Sequence, residues 1–235
     1  MAHREVLFIL TSHADMEGSN NKTGVWLGEF TDPYYAFIDA GYHVTLATPL
    51  GGEPPIDPLS KMTENLSTSN QRFLKDQDAQ DALANTIQLK VINAFDYDIA
   101  FVPGGHGPLW DLHDNDDVAR ILTHFVSASK ITGAVCHGPA ALLAIEQNIF
   151  GYLRNKKITS FTNIEEKLVL RSGLIPYELE SRLRAHGVDF SSAILPFMSH
   201  VVVDENLVTG QNPLSALGVA KKVIELAQKH YTSVL

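Results

Sequence analysis

Short runs of apolar residues alternate with longer segments in which apolar residues recur every three or four positions. Runs of the first kind predict buried strands, and segments of the second kind predict amphipathic helices. Strands that alternate with helices are typical of a mostly parallel sheet covered by helices on both faces. We therefore expect an α/β fold with a hairpin at residues 201–209 and with strands at residues 5–11, 43–48, 98–103, 131–135 and 157–161.

Capping residues and prolines set the expected helix boundaries. The first helix is expected to begin at Asp32 and Pro33 and to end at Gly41, which leaves Glu29 in the turn before it. The polar segment 61–94 fits the alternation poorly, and we expect it to form an insertion or cap over one face. Further helices are expected at residues 116–129, 138–147, 177–186 and 213–230.

Composition narrows the class of protein. The chain has 235 residues, of which 45% are hydrophobic, so we expect one domain over residues 1–235 with one substantial core. A net charge of −9 without a basic stripe argues against nucleic acid and against an anionic membrane as direct partners. The first apolar run, residues 6–10, is too short for a signal sequence or a membrane span. The single cysteine rules out an internal disulfide, and we expect a cytoplasmic protein.

The single cysteine stands where an apolar strand meets the start of a helix. Cys136 follows residues 131–135 directly and is itself followed by His137. Small residues at Ala134 and Gly138 are what a sharp strand-to-helix turn needs, because larger side chains would collide with the tightly folded backbone. Such a nucleophile elbow would hold the thiol above the sheet, and the helix N-terminus would lower the thiol's pKa. The alternative is a buried structural cysteine that packs as a small hydrophobe.

Loops from distant parts of the chain are expected to meet at this elbow, because the carboxyl ends of parallel strands lie at one edge of a sheet. The loop after strand 98–103 contains Gly104, Gly105 and His106. Its glycines permit inward-pointing backbone N–H groups, which together with the amide of His137 would bind an oxyanion or a substrate oxygen. A plain turn is the alternative interpretation.

A cysteine nucleophile needs a base and a group that orients the base. His137 is the candidate base, with a helix-capping histidine as the alternative. The orienting carboxylate would be Glu165 or Glu166, both of which follow strand 157–161. Glu29 would lie beside the thiol as a desolvated carboxyl with a raised pKa, and in its protonated form it would donate a hydrogen bond to the thiolate.

Four segments carry a family resemblance: Gly-Glu at 28–29, Pro-Gly-Gly-His-Gly at 103–107, Val-Cys-His-Gly-Pro-Ala at 135–140 and Thr-Gly-Gln-Asn-Pro at 209–213. Together they resemble the ThiJ/PfpI superfamily, which is class I glutamine amidotransferase-like, and specifically its heat-shock glyoxalase branch. The resemblance implies a flavodoxin-like, doubly wound sheet and a homodimer. It also implies a catalytic triad of Cys136, His137 and Glu166, with Glu29 in contact with the thiol.

The function that this resemblance implies is glutathione-independent conversion of methylglyoxal to lactate, with Cys136 as the nucleophile, and removal of early glycation adducts as a related activity. A stress-response holdase chaperone with a redox-sensing thiol, and a cysteine peptidase or amidase, remain as alternatives. Glutamine hydrolysis is disfavoured, because no His-x-Glu pair follows Cys136. We expect no cofactor and no metal, since His106 alone matches the zinc ligands of some chaperone members.

Overall fold

A seven-stranded sheet forms the centre of the molecule. The computed structural model describes residues 4–62 and 67–232. The strands within these residues are β1 (Glu5–Ile9), β2 (His43–Thr48), β3 (Ile87–Gln88), β4 (Ile99–Val102), β5 (Ile131–Val135), β6 (Lys157–Ile158), β7 (Asp189–Phe190), β8 (Val201–Asp204) and β9 (Leu207–Gly210). The strand order in the central sheet is β3-β2-β1-β4-β5-β9-β8, and all neighbouring strands are parallel except in the β8–β9 hairpin. The strands β6 and β7 pair separately as a small parallel sheet.

Helices cover both faces of this sheet. The first and last helices pack together on one face, whereas α6 and a long 3-10 helix pack together on the other. The described α-helices are α1 (Leu27–Asp39), α2 (Pro58–Lys61), α3 (Thr68–Phe73), α4 (Gln77–Ala84), α5 (Pro108–Asp111), α6 (Asp116–Ser127), α7 (Asn163–Leu168), α8 (Leu179–Ala185) and α9 (Ala216–Thr232). The 3-10 segments are Leu89–Val91, Ala94–Asp96, Gly138–Gln147 and Pro213–Ser215.

The first strand explains why the buried runs are continuously apolar. In β1, Leu7 and Ile9 belong to the core under α6, whereas Val6 and Phe8 belong to the core under α1 and α9. The ring of Phe8 stacks on that of Phe101 in β4, with centroids 5.0 Å apart. Burying one such side chain stabilises the fold by about 1.5–3 kcal/mol. A parallel strand that is covered on both faces cannot alternate with polar residues.

The predicted α/β architecture is confirmed, and several elements match in detail. The strands at 43–48 and 131–135 have the predicted bounds, and the hairpin forms from β8 and β9. The helix α6 begins after Asn115, whose side chain accepts hydrogen bonds from two backbone N–H groups of the first turn. The segment 138–147 is helical as predicted, but it is a 3-10 helix.

The first helix begins earlier than predicted. It starts at Leu27 rather than at Asp32, and Pro33 lies inside it. The carbonyl of Trp26 accepts hydrogen bonds from the N–H groups of Glu29 and Phe30, so the helix is already closed one turn before the proline. Burial of Phe30 in the core holds this first turn in place. As a result, the carboxyl of Glu29 projects from a helix and not from a loop.

The predicted strand 157–161 is also wrong in extent and in pairing. Only Lys157–Ile158 are strand, and they pair with β7 outside the central sheet. The following residues leave the strand because Phe161 donates its N–H to the carbonyl of Cys136, at 3.0 Å. This contact brings the segment to the elbow by a loop rather than by a sheet edge.

The polar segment 61–94 is described except for residues 63–66, and that part of the prediction lies outside the described residues. The helix α3 packs against α1, where Thr31 donates its hydroxyl to Asn70 at 2.6 Å. The strand β3 pairs with β2 and forms one edge of the central sheet. None of the described helices is long and apolar enough to cross a membrane.

Candidate active site

Cys136 occupies the sharp turn between β5 and the 3-10 helix that follows it. Its φ angle is 60°, in the left-handed region that residues with a side chain rarely adopt. The turn is held from both sides: the N–H of Cys136 donates to the carbonyl of Gly210 at 2.9 Å, and its own carbonyl accepts from Phe161. A strained residue persists only where its surroundings fix it, and such residues concentrate at active sites.

Two glycines allow close backbone approaches in and around this turn. A Cβ atom at Gly138 would lie 2.1 Å from the carbonyl oxygen of Val102, so the elbow could not close on β4 with any other residue. Gly105 has a φ of 88°, and a Cβ there would lie 2.0 Å from the carbonyl oxygen of Gly24. The small residue that the sequence analysis required after the cysteine is therefore demanded by a backbone contact.

The thiol of Cys136, the imidazole of His137 and the carboxylate of Glu166 form a continuous chain of contacts. The Sγ atom of Cys136 lies 3.3 Å from Nδ1 of His137, and Nε2 of the same ring bonds to Oε1 of Glu166. All three side chains are almost completely buried. Glu166 projects from the first turn of α7, which is capped by the side chain of Thr162. The structure thus brings together the three residues that the sequence analysis assigned to the triad.

Glu166 has a second imidazole partner, His106. The Nε2 atom of His106 lies 3.1 Å from Oε2 of Glu166, and the ring centroids of His106 and His137 are 4.1 Å apart. Burial would raise the pKa of Glu166, but the two imidazoles outweigh it and hold that pKa below its usual range. Because an ionised carboxylate only accepts hydrogen bonds, both Nε2 atoms must donate to it. Burial, with the neighbouring His137, lowers the pKa of His106 to about 4, so His106 is neutral at pH 7.

Glu29 lies on the other side of the thiol and is completely buried. Its Oε2 atom accepts the backbone N–H of Gly104 at 2.8 Å, whereas Oε1 has no hydrogen-bond partner among the described residues. Burial raises the pKa of Glu29 to about 8, and the carboxyl is close enough to Cys136 that each group shifts the pKa of the other. At pH 7 the carboxyl is mostly protonated and can donate, as the sequence analysis expected.

The thiol itself differs from expectation. The helix N-terminus is expected to lower the pKa of Cys136, but burial and, in its ionised form, the nearby carboxyl of Glu29 raise it. The reason is that the side chain is buried in an apolar cluster, where desolvation disfavours the thiolate. A raised pKa means that the thiol is ionised only with the help of a proton acceptor, and the Nδ1 atom of His137 lies 3.3 Å from the sulfur.

The residues of the glycine loop after β4 make different contacts in the site. The N–H of Gly104 is bonded to Glu29, so in this arrangement it does not point at an oxyanion as expected. The N–H of Gly105 is directed at the thiol of Cys136 and lowers its pKa in part. His106 lines the cavity beside Cys136 and directs its Nε2 atom to Glu166, and its expected contact with substrate stays a prediction. A Cβ at Gly104 would lie 2.7 Å from the backbone nitrogen of His137, so this glycine lets the two loops approach.

Comparison with known proteins fits this geometry. The model of the DJ-1/PfpI family matches residues 22–226. The chain belongs to the DJ-1/PfpI family. The glutathione-independent glyoxalase HSP31 of Saccharomyces cerevisiae is 30% identical over 234 residues, which cover 96% of this chain and 98% of that protein.

Two solved structures extend the similarity to the whole DJ-1/PfpI fold. Rapid Encystment Protein 24 kDa of Francisella tularensis has a TM-score of 0.90 and 36% identity, and the alignment covers 95% of this chain and 99% of that one. Glyoxalase III of Candida albicans has a TM-score of 0.84 and 29% identity, over 94% of this chain and 96% of that one. The predicted resemblance to ThiJ/PfpI proteins of the glyoxalase type is confirmed.

Glu165 has a structural position that the sequence analysis missed. Its Oε1 atom accepts hydrogen bonds from the N–H of Phe197 and from the side chains of Gln211 and Asn212. Its Oε2 atom accepts from Thr162, which completes a capping box at the start of α7. The pattern Thr-x-x-Glu at residues 162–165 is a known sign of such a cap. It would have assigned Glu165 to the helix start and left Glu166 for His137.

The donor atoms of His106, His137 and Glu166 all lie within 4.8 Å of one another, so these three side chains could hold a metal ion. His106 therefore does not stand alone as a candidate metal ligand, contrary to expectation. In this arrangement the Nε2 atoms of both histidines are already hydrogen-bonded to Glu166. That the protein works without a metal or cofactor stays a prediction.

Proposed function

We propose that this protein is a glutathione-independent glyoxalase that converts methylglyoxal to lactate. The observation that carries the proposal is the chain of contacts from the thiol of Cys136 through the imidazole of His137 to the carboxylate of Glu166, at an elbow where Cys136 has a positive φ. The names of the similar proteins from Saccharomyces cerevisiae and Candida albicans support the same reaction. We infer a lyase of the hydro-lyase class, because the net reaction adds water to the dicarbonyl while oxidising one carbon and reducing its neighbour.

In the first step the thiol adds to the aldehyde carbon. His137 takes the thiol proton through Nδ1, and the sulfur forms a bond to the carbonyl carbon as the C=O double bond becomes an alkoxide. The N–H of Gly105 and the amide of His137 stabilise this oxyanion, which then receives the proton from His137 and becomes a hemithioacetal. Protonated Glu29 donates a hydrogen bond that favours the ionised sulfur while His137 holds the thiol proton.

In the second step a proton moves between the two carbons. His137, neutral again, removes the hydrogen from the carbon bonded to sulfur and forms an enediolate. The hydroxyl proton on the first carbon passes to the oxygen of the second carbon, and return of the carbon-derived proton to the second carbon then yields a thioester of lactate, so the first carbon is oxidised and the second reduced. Water then cleaves the thioester, which releases lactate and restores the thiol. Glu166 keeps the imidazole in the tautomer that accepts protons at Nδ1.

Several further features belong to the same proposal. The reaction needs only a small dicarbonyl and water, so we expect activity without an added cofactor or metal. We also expect a homodimer in the cytoplasm, in line with the family resemblance. Removal of early glycation adducts would use the same thiol and stays a prediction.

The test is lactate formation from methylglyoxal in the absence of glutathione. Wild-type protein is expected to form lactate, and Cys136→Ala is expected to form none while keeping its melting temperature. Because Cys136 is the only cysteine in the chain, one alkylation by iodoacetamide should abolish the same activity. Undiminished lactate formation by a folded Cys136→Ala protein would contradict the proposal.

A further inference from the structure

A cavity of about 150 Å³ opens beside the sulfur of Cys136 and is large enough for several water-sized groups. Apart from the catalytic side chains, its exposed wall is almost wholly apolar. A methyl group, the only apolar part of methylglyoxal, would leave most of this wall in contact with water. The apolar wall consists of Trp26, Leu59, Phe161, Val169, Phe197 and Pro213.

Phe197 is held in this wall by a buried polar network. Its φ is 61°, a conformation that is unfavourable for an aromatic residue unless the surroundings impose it. Its N–H donates to Oε1 of Glu165 at 2.8 Å, and Glu165 is completely buried. The side chain of Asn212 donates to the same oxygen and to the carbonyl of Met198, the next residue along the loop. The position of Phe197 is therefore specified by the fold.

The aromatic wall continues to the reacting groups. The ring of Phe161 lies 6.2 Å from that of Phe197 and 4.8 Å from that of His137. Arg171 also reaches the cavity, but its guanidinium is paired with the buried carboxylate of Asp57 at 3.5 Å. Its charge is thus compensated within the fold, and the cavity does not favour a substrate whose substituent is charged.

We propose that this cavity takes the substituent of a 2-oxoaldehyde, and that the preferred substrates carry an aromatic or branched apolar group larger than methyl. The inference rests on the proposed glyoxalase function and adds the class of substrate. The aldehyde carbon would meet Cys136, while the substituent displaces water from the wall formed with Phe197. Each methylene buried in this way contributes about a threefold to fourfold gain in kcat/KM.

The experiment measures kcat/KM for methylglyoxal, for 2-oxoaldehydes with isopropyl and isobutyl substituents, and for phenylglyoxal. Each value is divided by the rate at which the same aldehyde adds to N-acetylcysteine, which removes differences in intrinsic reactivity. We expect the corrected value for phenylglyoxal to exceed that for methylglyoxal by at least about tenfold. A series that is flat or falls with size overturns the inference.

Variants locate the effect in the cavity. Phe197→Ala should lower the ratio of phenylglyoxal to methylglyoxal activity at least about fivefold. The matched control is Phe150→Ala, since Phe150 is 92% exposed at a turn outside the cavity, and it should leave the ratio unchanged. Leu59→Asn, at a half-exposed wall position, is the second variant if Phe197→Ala does not fold, and it should lower the ratio in the same direction.

The outcomes separate the two proposals. Absence of turnover for every 2-oxoaldehyde, methylglyoxal included, would reject the proposed function itself. Turnover of methylglyoxal without a size preference, or an equal loss on all substrates in Phe197→Ala, would reject only the inference about the substituent.

Discussion

Glu29 and Glu166 are both buried beside Cys136 and His137, yet the fold gives them opposite charge states. Glu29 accepts one backbone N–H, its other oxygen has no hydrogen-bond partner within residues 4–62 and 67–232, and burial raises its pKa to about 8. Glu166 accepts from two imidazoles, which hold its pKa below the usual range in spite of burial. The number of donors, more than the depth of burial, therefore decides whether a carboxyl here is an acid or an anion.

This difference divides the chemistry between the two ends of the site. A protonated carboxyl next to the sulfur supplies a hydrogen bond without adding a negative charge that would oppose the thiolate. An ionised carboxylate next to the imidazole fixes the tautomer of His137 and stabilises its protonated form. Exchanging the two states would disable both ends, so each can be tested by a substitution to glutamine, which cannot ionise.

Glu166→Gln should produce the largest loss. Glutamine has one acceptor oxygen, but His106 and His137 both donate Nε2–H, so one imidazole would face an N–H group and have to change tautomer. We expect kcat/KM for methylglyoxal to fall by about 10²–10⁴, as for the equivalent substitution in a Ser-His-Asp triad. Steady-state kinetics with Glu17→Gln, an exposed glutamate, as the matched control would measure this. A loss below tenfold in the folded variant would mean that Glu166 does not orient the base.

Glu29→Gln should have a smaller effect at pH 7 and a diagnostic one at high pH. The raised pKa means that Glu29 is protonated below about pH 8 and becomes charged above it. In wild type, kcat/KM should therefore decline as pH rises through about 8, because the new negative charge opposes the thiolate. Glutamine cannot ionise and keeps a donor, so the variant should lose about tenfold or less at pH 7 and should lack the alkaline decline.

The measurement is kcat/KM against pH from 6 to 10 for both proteins, with folding checked at each pH. If the alkaline decline persists unchanged in Glu29→Gln, another group causes it. The charge state of Glu29 would then not control the reactivity of the thiol.

The sequence predicted which groups meet at the elbow better than it predicted how they are held. The position of Cys136 at a turn and the small residue Gly138 follow from local backbone requirements, which a sequence records directly. The start of α1 does not follow from local requirements. Burial of Phe30 and hydrogen bonds to the carbonyl of Trp26 extend the helix toward its N-terminus, to residues before Pro33. Tertiary burial overrides a local start signal here.

Electrostatics were the least predictable part. Two adjacent glutamates, Glu165 and Glu166, differ in role because one caps a helix and anchors a loop while the other meets two histidines. The raised pKa of Cys136 depends on burial and on Glu29, which is distant in sequence. A local helix-terminus argument cannot weigh such long-range contributions, and this is why it gave the wrong direction for the thiol.

The smallest expected effect concerns His106, which acts through Glu166 and is therefore a positioning residue. His106→Gln keeps an N–H donor for Oε2 of Glu166, whereas His106→Ala removes it. We expect kcat to fall about threefold or less in the glutamine variant and about tenfold in the alanine variant, with KM nearly constant, because the loss of one charge-assisted hydrogen bond changes only how well the imidazole is held.

A shift in the acid limb of the kcat profile should accompany the alanine change, since the pKa of Glu166 rises when one donor is lost. Equal losses in both variants, without a pH shift, would show that the ring of His106 matters for packing rather than for the charge state of Glu166.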